Sequence, residues 1–263
     1  MKRAPSLHNP FLASSSSASA TKNAQTKRRA TQPKPTTTGH QLEHERNGTS
    51  NLPLLSIDNY ANVQLFVCDS LDRLEPALQA CSGPIVSMDC EWNVVMRRGH
   101  KQPPVSLVQI YNGSQIGLFR INKLTRDFST RLPRAMSEWM ENPNVRKVGM
   151  NIRGDANKLN RDFGVHLAEY IELSHLAKET FPEKLNSARP SLKLLTELFL
   201  GHTLDKSSDL RCTNWDLKHD LSEELLQYAA TDALAGLEVY RAMHRLRWCP
   251  KVETFVRSKN SEA

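Results

Sequence analysis

Two carboxylates spaced Asp-x-Glu, Asp89 and Glu91, follow a short apolar run and are residues whose type and spacing could do chemistry. The run, residues 85–88, is brief and rich in β-branched side chains and follows the turn pair Gly83-Pro84, so it predicts a buried strand. Residues i and i+2 of a strand point to the same side, and the two acids therefore project together. Like charges side by side are unfavourable unless a cation lies between them or one is protonated. The pattern indicates a cation site, with the alternative that the strand simply emerges into water here.

Two further acids lie on predicted helices. Asp155 follows the apolar run 145–150 and falls in the first turn of a helix, where the helix dipole favours an anion. Asp232 lies four residues after Tyr228 in the last predicted helix, so the two side chains share one helix face. An acid in an apolar stripe is expensive to bury without a partner. Taken alone, either acid is also explained as a solvated or helix-starting residue.

The elements that must position these residues alternate between strands and helices. Strands are predicted at about residues 63–67, 85–88, 105–111, 115–121, 145–150 and 171–173. Asn112-Gly113 marks a hairpin, which places the acidic pair on the first of three adjacent strands. Helices are predicted at about residues 70–80, 130–141, 152–163, 174–179, 192–200 and from Ser222 onward, with serine N-caps at 70 and 191 and closing glycines at 164 and 201. This alternation predicts an α/β fold with a mixed central sheet flanked by helices.

The composition limits the class of protein and the kind of metal site. A hydrophobic content of 39% and a charged content of 24% are typical of a soluble globular protein, and no apolar run reaches the roughly 18 residues of a membrane span. The five cysteines form no Cys-x-x-Cys pair, which favours reduced intracellular thiols over a zinc ribbon or a disulfide framework. The nine histidines are scattered. Any metal is therefore expected to have oxygen ligands, which favours Mg²⁺ or Mn²⁺.

The basic charge belongs to the N-terminal end of the chain. Residues 1–42 hold seven lysines and arginines and no acid, which equals the net charge of +7 of the whole chain. We expect residues 1–52 to form a disordered Ser/Thr-rich tail, residues 53–250 to form one domain, and residues 251–263 to form a short flexible tail. The cluster Lys27-Arg28-Arg29 favours import into the nucleus. A mitochondrial transit peptide and a merely solvated tail are the alternatives.

Three motifs, taken in order, resemble those of the DEDDy 3′–5′ exonucleases, which have a ribonuclease H-like fold. They are Asp89-x-Glu91, Val148-Gly149-x-Asn151-Ile152-x-Gly154-Asp155 and Tyr228-x-x-x-Asp232, supported by 105–110, 204–207 and Asn214-Trp215. The likeness spans about residues 60–245 and is closest to the Werner-syndrome-type exonuclease domain, with the ribonuclease D group further away. One departure is Glu172-Leu173, where relatives often have Asp-Leu.

The resemblance implies a mechanism and a substrate. In the family, the carboxylates that match Asp89, Glu91, Asp155 and Asp232 hold two divalent ions, Mg²⁺ or Mn²⁺, and the residue that matches Tyr228 orients the attacking water. The implied activity is hydrolysis from a free 3′ end to release nucleoside 5′-monophosphates, with DNA favoured over RNA and a role in repair or replication. The alternatives are ribonuclease D-like trimming of RNA and a non-catalytic nucleic-acid-binding scaffold. No membrane contact is expected.

Several other residues are candidates for contact with nucleic acid. Arg97, Arg98, His100 and Lys101 form a polar stretch after the acidic strand that could grip phosphates, or could be a solvated loop. Trp92 could stack on the terminal base, or could pack in the protein. Lys206 and Arg211 precede the last helix and could also contact the substrate. Trp215 is expected to pack, and Cys90, which points away from the acids, is expected in the core.

Overall fold

The computed structural model of this chain describes residues 51–97, 99–125, 131–185, 190–205 and 213–248. The two predicted tails lie outside these ranges except for Asn51 and Leu52, so they stay predictions. In the part of the chain that is described, no helix combines the length and the apolar character needed to cross a membrane.

A six-stranded mixed sheet forms the centre of the described structure. Its strands are β1 (Gln64–Cys68), β2 (Ile85–Glu91), β3 (Leu107–Tyr111), β4 (Gln115–Arg120), β5 (Arg146–Gly149) and β6 (Tyr170–Glu172). Their order in the sheet is β1-β4-β3-β2-β5-β6, and only β3 runs antiparallel to its neighbours. The carboxyl ends of the other five strands therefore meet at one edge. The predicted α/β class with a mixed sheet is confirmed.

The hairpin between β3 and β4 follows from its turn residues. The Asn112 side-chain oxygen accepts hydrogen bonds from the backbone N–H groups of Ser114 and Gln115, at 3.0 and 2.9 Å. Gly113 has a φ of 106°, which a side chain would disfavour. This local chemistry places β2, β3 and β4 side by side, as the sequence predicted.

Seven helices in the described residues flank the sheet. They are α1 (Leu74–Ala80), α2 (Ile121–Leu124), α3 (Arg134–Met140), α4 (Ile152–Phe163), α5 (Leu173–Thr180), α6 (Leu192–Leu200) and α7 (Glu223–Trp248). The predicted caps of α6 and α4 are present. The Ser191 hydroxyl accepts a hydrogen bond from the Leu194 N–H at 3.1 Å, and Gly164 ends α4 with a φ of 71°.

Two helix starts differ from the prediction. Helix α3 begins at Arg134 because Pro133 occupies the N-cap with an extended backbone, and a proline disfavours helical geometry in the residue before it. Residues 126–130, where the predicted start lay, are outside the described part. Ser70 precedes a 3₁₀ turn, Leu71–Arg73, rather than α1 itself. Its hydroxyl accepts from the Arg73 side chain at 3.0 Å instead of capping a backbone N–H.

The two faces of the sheet carry separate hydrophobic cores. Helices α5, α6 and α7 cover the face that presents Leu107, Tyr111 and Leu118. Helices α1, α3 and α4 cover the opposite face, where Met88 and Cys90 lie. Cys90 is therefore core, as predicted, and the odd-numbered residues of β2 face α7.

Helix α7 lies unusually close to strand β2. The Ser87 hydroxyl donates a hydrogen bond to the Ala233 carbonyl oxygen at 2.5 Å, and a Cβ added at Gly236 would lie 3.2 Å from the Cβ of Ser87. Ala229 and Ala230, which are buried one turn before Ala233 in the helix, are also small. Because no bulky side chain separates them, α7 can bring Asp232 to the end of β2.

Candidate active site

Three carboxylates meet where β2 and α7 approach each other. Asp89 and Glu91 are among the last three residues of β2, and Asp232 is a buried residue of α7. One oxygen from each lies within 4.8 Å of the others. Like charges at this separation repel, whereas hard divalent cations take carboxylate oxygens as ligands. The donor set therefore fits a Mg²⁺ or Mn²⁺ ion.

The fourth acid, Asp155, is buried beside this cluster. It is only 3% exposed, and its Oδ2 has no hydrogen-bond partner among the described residues. Burial, together with the charges of Asp89 and Glu91, raises the pKa of Asp155 well above its ordinary value. A buried carboxyl with an unpartnered oxygen next to two other acids is costly for the protein alone. A bound cation would remove that cost, so Asp155 also fits a metal site.

The loop before α4 holds Asp155 in place. Asn151 adopts a left-handed conformation with a φ of 59°. The Glu172 carboxylate at the end of β6 accepts the Asn151 N–H at 2.8 Å and the Ser174 hydroxyl at 2.9 Å. At Gly149 an added Cβ would lie 2.6 Å from the Met88 carbonyl oxygen, so β5 needs glycine there. The sequence prediction gave Glu172 no role. Its position, as an acid at the carboxyl end of a strand beside β5, was the signal that could have indicated this role.

Tyr228 lies one helical turn before Asp232 on α7. The two residues line the same cleft, which has a volume of about 300 Å³. The Tyr228 ring packs near the indole of Trp215, with 6.2 Å between ring centroids and an interplanar angle of 35°. Trp215 is 1% exposed, as expected for a packing residue. The structure therefore places Tyr228, the residue predicted to orient the water, in the same cleft as Asp232, and the role itself stays a prediction.

A buried amide lies next to the cluster and had no predicted role. Gln109 of β3 pairs directly with Asp89 of β2, so both side chains are on the face that α7 covers. Gln109 is fully buried, and neither atom of its amide has a hydrogen-bond partner among the described residues. A lone amide in an otherwise apolar strand was the sequence signal for this residue.

The predicted nucleic-acid contacts have different positions in the structure. Arg97, His100 and Lys101 are exposed in the segment that follows β2. Trp92 is half-buried against the core, and the Lys158 ammonium lies 5.4 Å from the centroid of its ring. These contacts support packing for Trp92, whereas base stacking stays a prediction. Three other predicted contacts, Arg98, Lys206 and Arg211, are outside the described residues.

Comparisons with known proteins show which family this chain belongs to. The family model of a 3′-5′ exonuclease matches residues 65–247. The bifunctional 3′-5′ exonuclease/ATP-dependent helicase WRN of Mus musculus is 34% identical over 172 residues, which is 65% of this chain and 12% of that protein. The exonuclease 3′-5′ domain-containing protein 2 of Homo sapiens is 36% identical over 172 residues, which is 64% of this chain and 27% of that protein. The chain thus spans about a quarter or less of these two relatives.

Solved structures show the same fold. RNase D of Escherichia coli, described as an exoribonuclease involved in structured RNA processing, has a TM-score of 0.56 at 22% sequence identity. The match covers 74% of this chain and 49% of the RNase D chain. Matches of this kind establish a ribonuclease H-like exonuclease fold. Because the family model covers most of the chain, the chain belongs to the 3′-5′ exonuclease family.

Proposed function

We propose that this chain is a metal-dependent exonuclease that hydrolyses the terminal phosphodiester bond at a 3′ end and releases a nucleoside 5′-monophosphate. The observation that carries the proposal is the convergence of three carboxylate oxygens within 4.8 Å, with the buried Asp155 beside them. Retention of all four acids and Tyr228 argues against a non-catalytic scaffold. Such a scaffold has no need to maintain so costly a cluster of charges.

The residues of the site have two kinds of role in the proposed reaction. Asp89, Glu91, Asp155 and Asp232 would hold two divalent ions. When bound, these ions activate the attacking water and stabilise charge on the leaving 3′ oxygen. Tyr228 lines the cleft beside Asp232 and would orient the water through its hydroxyl. A phenol with an ordinary pKa near 10 is a poor general base, so orientation is the better role for it.

We propose DNA as the substrate and repair or replication as the setting. The Werner-type likeness in the motifs supports DNA. Trimming of RNA is the second candidate, because the fold is also that of RNase D. Exposed basic residues in the segment that follows β2, Arg97 and Lys101, would bind the phosphate backbone of either polymer.

The test is digestion of 5′-labelled DNA and RNA strands of the same sequence, side by side, with Mg²⁺ or Mn²⁺ and with EDTA. We expect metal-dependent shortening of the labelled strand by one nucleotide at a time from the 3′ end, and faster digestion of DNA. Asp89→Asn and Asp232→Asn should each reduce the rate at least about 100-fold, as loss of a metal ligand does. Wild-type rates in both variants would contradict the proposal, and faster digestion of RNA would select the second candidate.

We further propose that the chain acts in the nucleus, with the basic cluster Lys27-Arg28-Arg29 as the import signal. A fusion of residues 1–50 to a fluorescent protein tests this. Nuclear accumulation that is lost when the three basic residues become alanine supports the proposal. Accumulation in mitochondria would instead support a transit peptide.

A further inference from the structure

Asn93 links the catalytic strand to a segment beyond the sheet. It lies two residues after Glu91, and its side-chain amide makes two short hydrogen bonds. The Asn93 Nδ2 donates to the Asn214 Oδ1 at 2.7 Å, and the Asn93 Oδ1 accepts from the Trp215 N–H at 2.7 Å. The Asn93 amide therefore holds both the side chain of Asn214 and the backbone of Trp215, the residue that packs beside Tyr228.

The same segment is anchored a second time from another strand. The Leu217 carbonyl oxygen accepts a hydrogen bond from the buried Arg120 guanidinium at 2.5 Å and one from the Asn122 amide at 3.2 Å. Within the segment, the Asn214 Oδ1 also accepts the Asp216 N–H at 3.0 Å. Residues 214–217 are thus held at one end by the exit of β2 and at the other by the end of β4.

Trp215 lies between these two anchors. Its indole is almost completely buried and lies 6.2 Å, centroid to centroid, from the Tyr228 ring. A tyrosine on a helix can rotate about its side-chain bonds, so a rigid neighbour on one side limits the positions of its hydroxyl. The rigidity of Trp215 depends on its backbone, which Asn93 holds.

We propose that Asn93 is a positioning residue that acts through Trp215 to orient the Tyr228 hydroxyl. The inference rests on the proposed exonuclease function and names an additional residue that it requires. Asn93 couples the strand that carries Asp89 and Glu91 to the aromatic pair, so that the acids and the phenol keep a fixed relative geometry. It touches none of the reacting groups itself.

The test is a double-mutant cycle in the full chain, with a 5′-labelled DNA strand and Mn²⁺. Asn93→Ala should lower kcat about tenfold, as expected for a small misplacement of a positioned group, and leave KM within about twofold. In a Tyr228→Phe background the same substitution should change kcat by less than about twofold, because the hydroxyl that Asn93 positions is already gone.

Gln102→Ala is the matched control. Gln102 also makes two hydrogen bonds with its amide, to the N–H and the carbonyl of Val95 at 2.9 and 2.8 Å, in the segment after β2. It has no bond to residues 214–217, so its loss should leave kcat within about twofold of wild type. An equal loss of kcat in this variant would show a general effect of the segment and would overturn the inference.

Other outcomes are equally decisive. Asn93→Ala with wild-type kcat, or with a loss of the same size in the Tyr228→Phe background, would also overturn the inference. If Asn93→Ala unfolds, Trp215→Phe tests the same coupling, because it weakens the wall beside Tyr228 but keeps the Asn93 bond to the backbone. A tenfold loss of kcat in Trp215→Phe that disappears in the Tyr228→Phe background supports the inference. A loss of the same size in both backgrounds contradicts it. A wild-type protein without any nucleotide release would instead refute the proposed function.

Discussion

The hydroxyl of Ser87 and the carbonyl oxygen of Ala233 are joined by a 2.5 Å hydrogen bond across the interface between β2 and α7. This contact sets the distance between the strand that ends in two catalytic candidates and the helix that supplies a third. The geometry of the acidic cluster therefore depends on residues that carry no charge.

Gly236→Ala should separate activity from stability. The new Cβ would lie 3.2 Å from the Cβ of Ser87, so α7 must move outward by a few tenths of an ångström. Overpacking costs about 1–3 kcal/mol, and the higher helix propensity of alanine offsets about 1 kcal/mol of this. We expect the free energy of unfolding to change by less than about 2 kcal/mol and Mn²⁺ affinity and kcat to fall about tenfold.

Denaturant titration, calorimetry with Mn²⁺ and nuclease kinetics check this expectation. Gly83→Ala is the control, because its added Cβ would have no neighbour nearer than 3.7 Å and its backbone is not left-handed. If Gly236→Ala binds Mn²⁺ as tightly as wild type, close approach of α7 is not what assembles the cluster.

The Asp155→Asn variant should be more stable than wild type without divalent metal and less stable than wild type with it. Burial and the neighbouring acids raise the pKa of Asp155, which means that the folded state disfavours its charged form. Without divalent metal at pH 7, the neutral amide should stabilise the protein, because it removes the cost of burying a charge beside two other acids. With Mn²⁺ at about 100 times its Kd, wild type should gain about 2.7 kcal/mol and the variant much less.

Thermal unfolding in EDTA and in excess Mn²⁺ gives both comparisons on the same two proteins. An Asp155→Asn protein that unfolds at a lower temperature than wild type in EDTA would show that the buried carboxylate is not under electrostatic stress. Equal stabilisation of both proteins by Mn²⁺ would remove Asp155 from the ligand set.

Arg97→Ala and Lys101→Ala should reduce the salt dependence of binding to single-stranded DNA. Both side chains are exposed in the segment that follows β2, the strand that carries Asp89 and Glu91. Each phosphate contact contributes about 0.7 to the slope of log K against log salt concentration. We expect the slope of each variant to decrease by about this amount. Binding is measured in the catalytically inactive Asp89→Asn background, so that the DNA is not digested during the salt titration.

Arg134→Ala is the control for these two substitutions. Arg134 is 90% exposed and lies on α3, which covers the face of the sheet opposite to α7. Its removal should leave the salt slope unchanged. If Arg97→Ala and Lys101→Ala have the same slope as the control Arg134→Ala, the phosphates of the DNA bind elsewhere on the protein.

Lys147 should make stability depend on pH in the alkaline range. Burial lowers the pKa of this lysine to about 8, although its ammonium donates to the carbonyl oxygens of Met140, Asn142 and Ala168. Between about pH 8 and its unfolded pKa of about 10.4, the unfolded chain binds a proton that the folded chain lacks, so stability rises with pH. The contribution is at most about 1.4 kcal/mol per pH unit.

Lys147→Met should lose this contribution. We expect it to be destabilised at all pH values, because three carbonyl oxygens lose their donor, and increasingly so from pH 8 to pH 10 relative to wild type. Denaturant titrations of both proteins at each pH measure the difference, in which the titration of the other groups cancels. A difference that is constant from pH 7 to pH 10 would mean that Lys147 stays charged in the fold.

Local signals predicted the fold well where a few neighbouring residues decide the structure. The hairpin at Asn112-Gly113 and the bounds of α6, from the Ser191 cap to Gly201, depend on such signals. The start of α3 was wrong because the helical pattern was extended past Pro133. The Ser70 hydroxyl bonds a side chain, and sequence spacing alone does not distinguish that partner from a backbone N–H.

The site was predicted only by the order of its motifs. Side-chain alternation places Asp89 beside Glu91, but nothing local brings Asp232 to them, since α7 meets β2 through contacts such as Ser87 with Ala233, 146 positions apart in the chain. The roles of Glu172 and Asn93 depend on hydrogen bonds to distant backbone groups in the same way. Such partners follow from the packing of whole elements and not from residue type.

The long sequence separation between β2 and α7 also concerns how the protein is made. During synthesis the chain must extend beyond Asp232 before the last acid exists, and α7 must dock before the cluster forms. A nascent or clipped chain that ends before α7 holds Asp89, Glu91 and Asp155 but lacks both Asp232 and the helix that packs against β2. The carboxylate cluster therefore cannot assemble until α7 has been synthesised and has docked on β2, so metal binding at this site is expected only once the domain is complete.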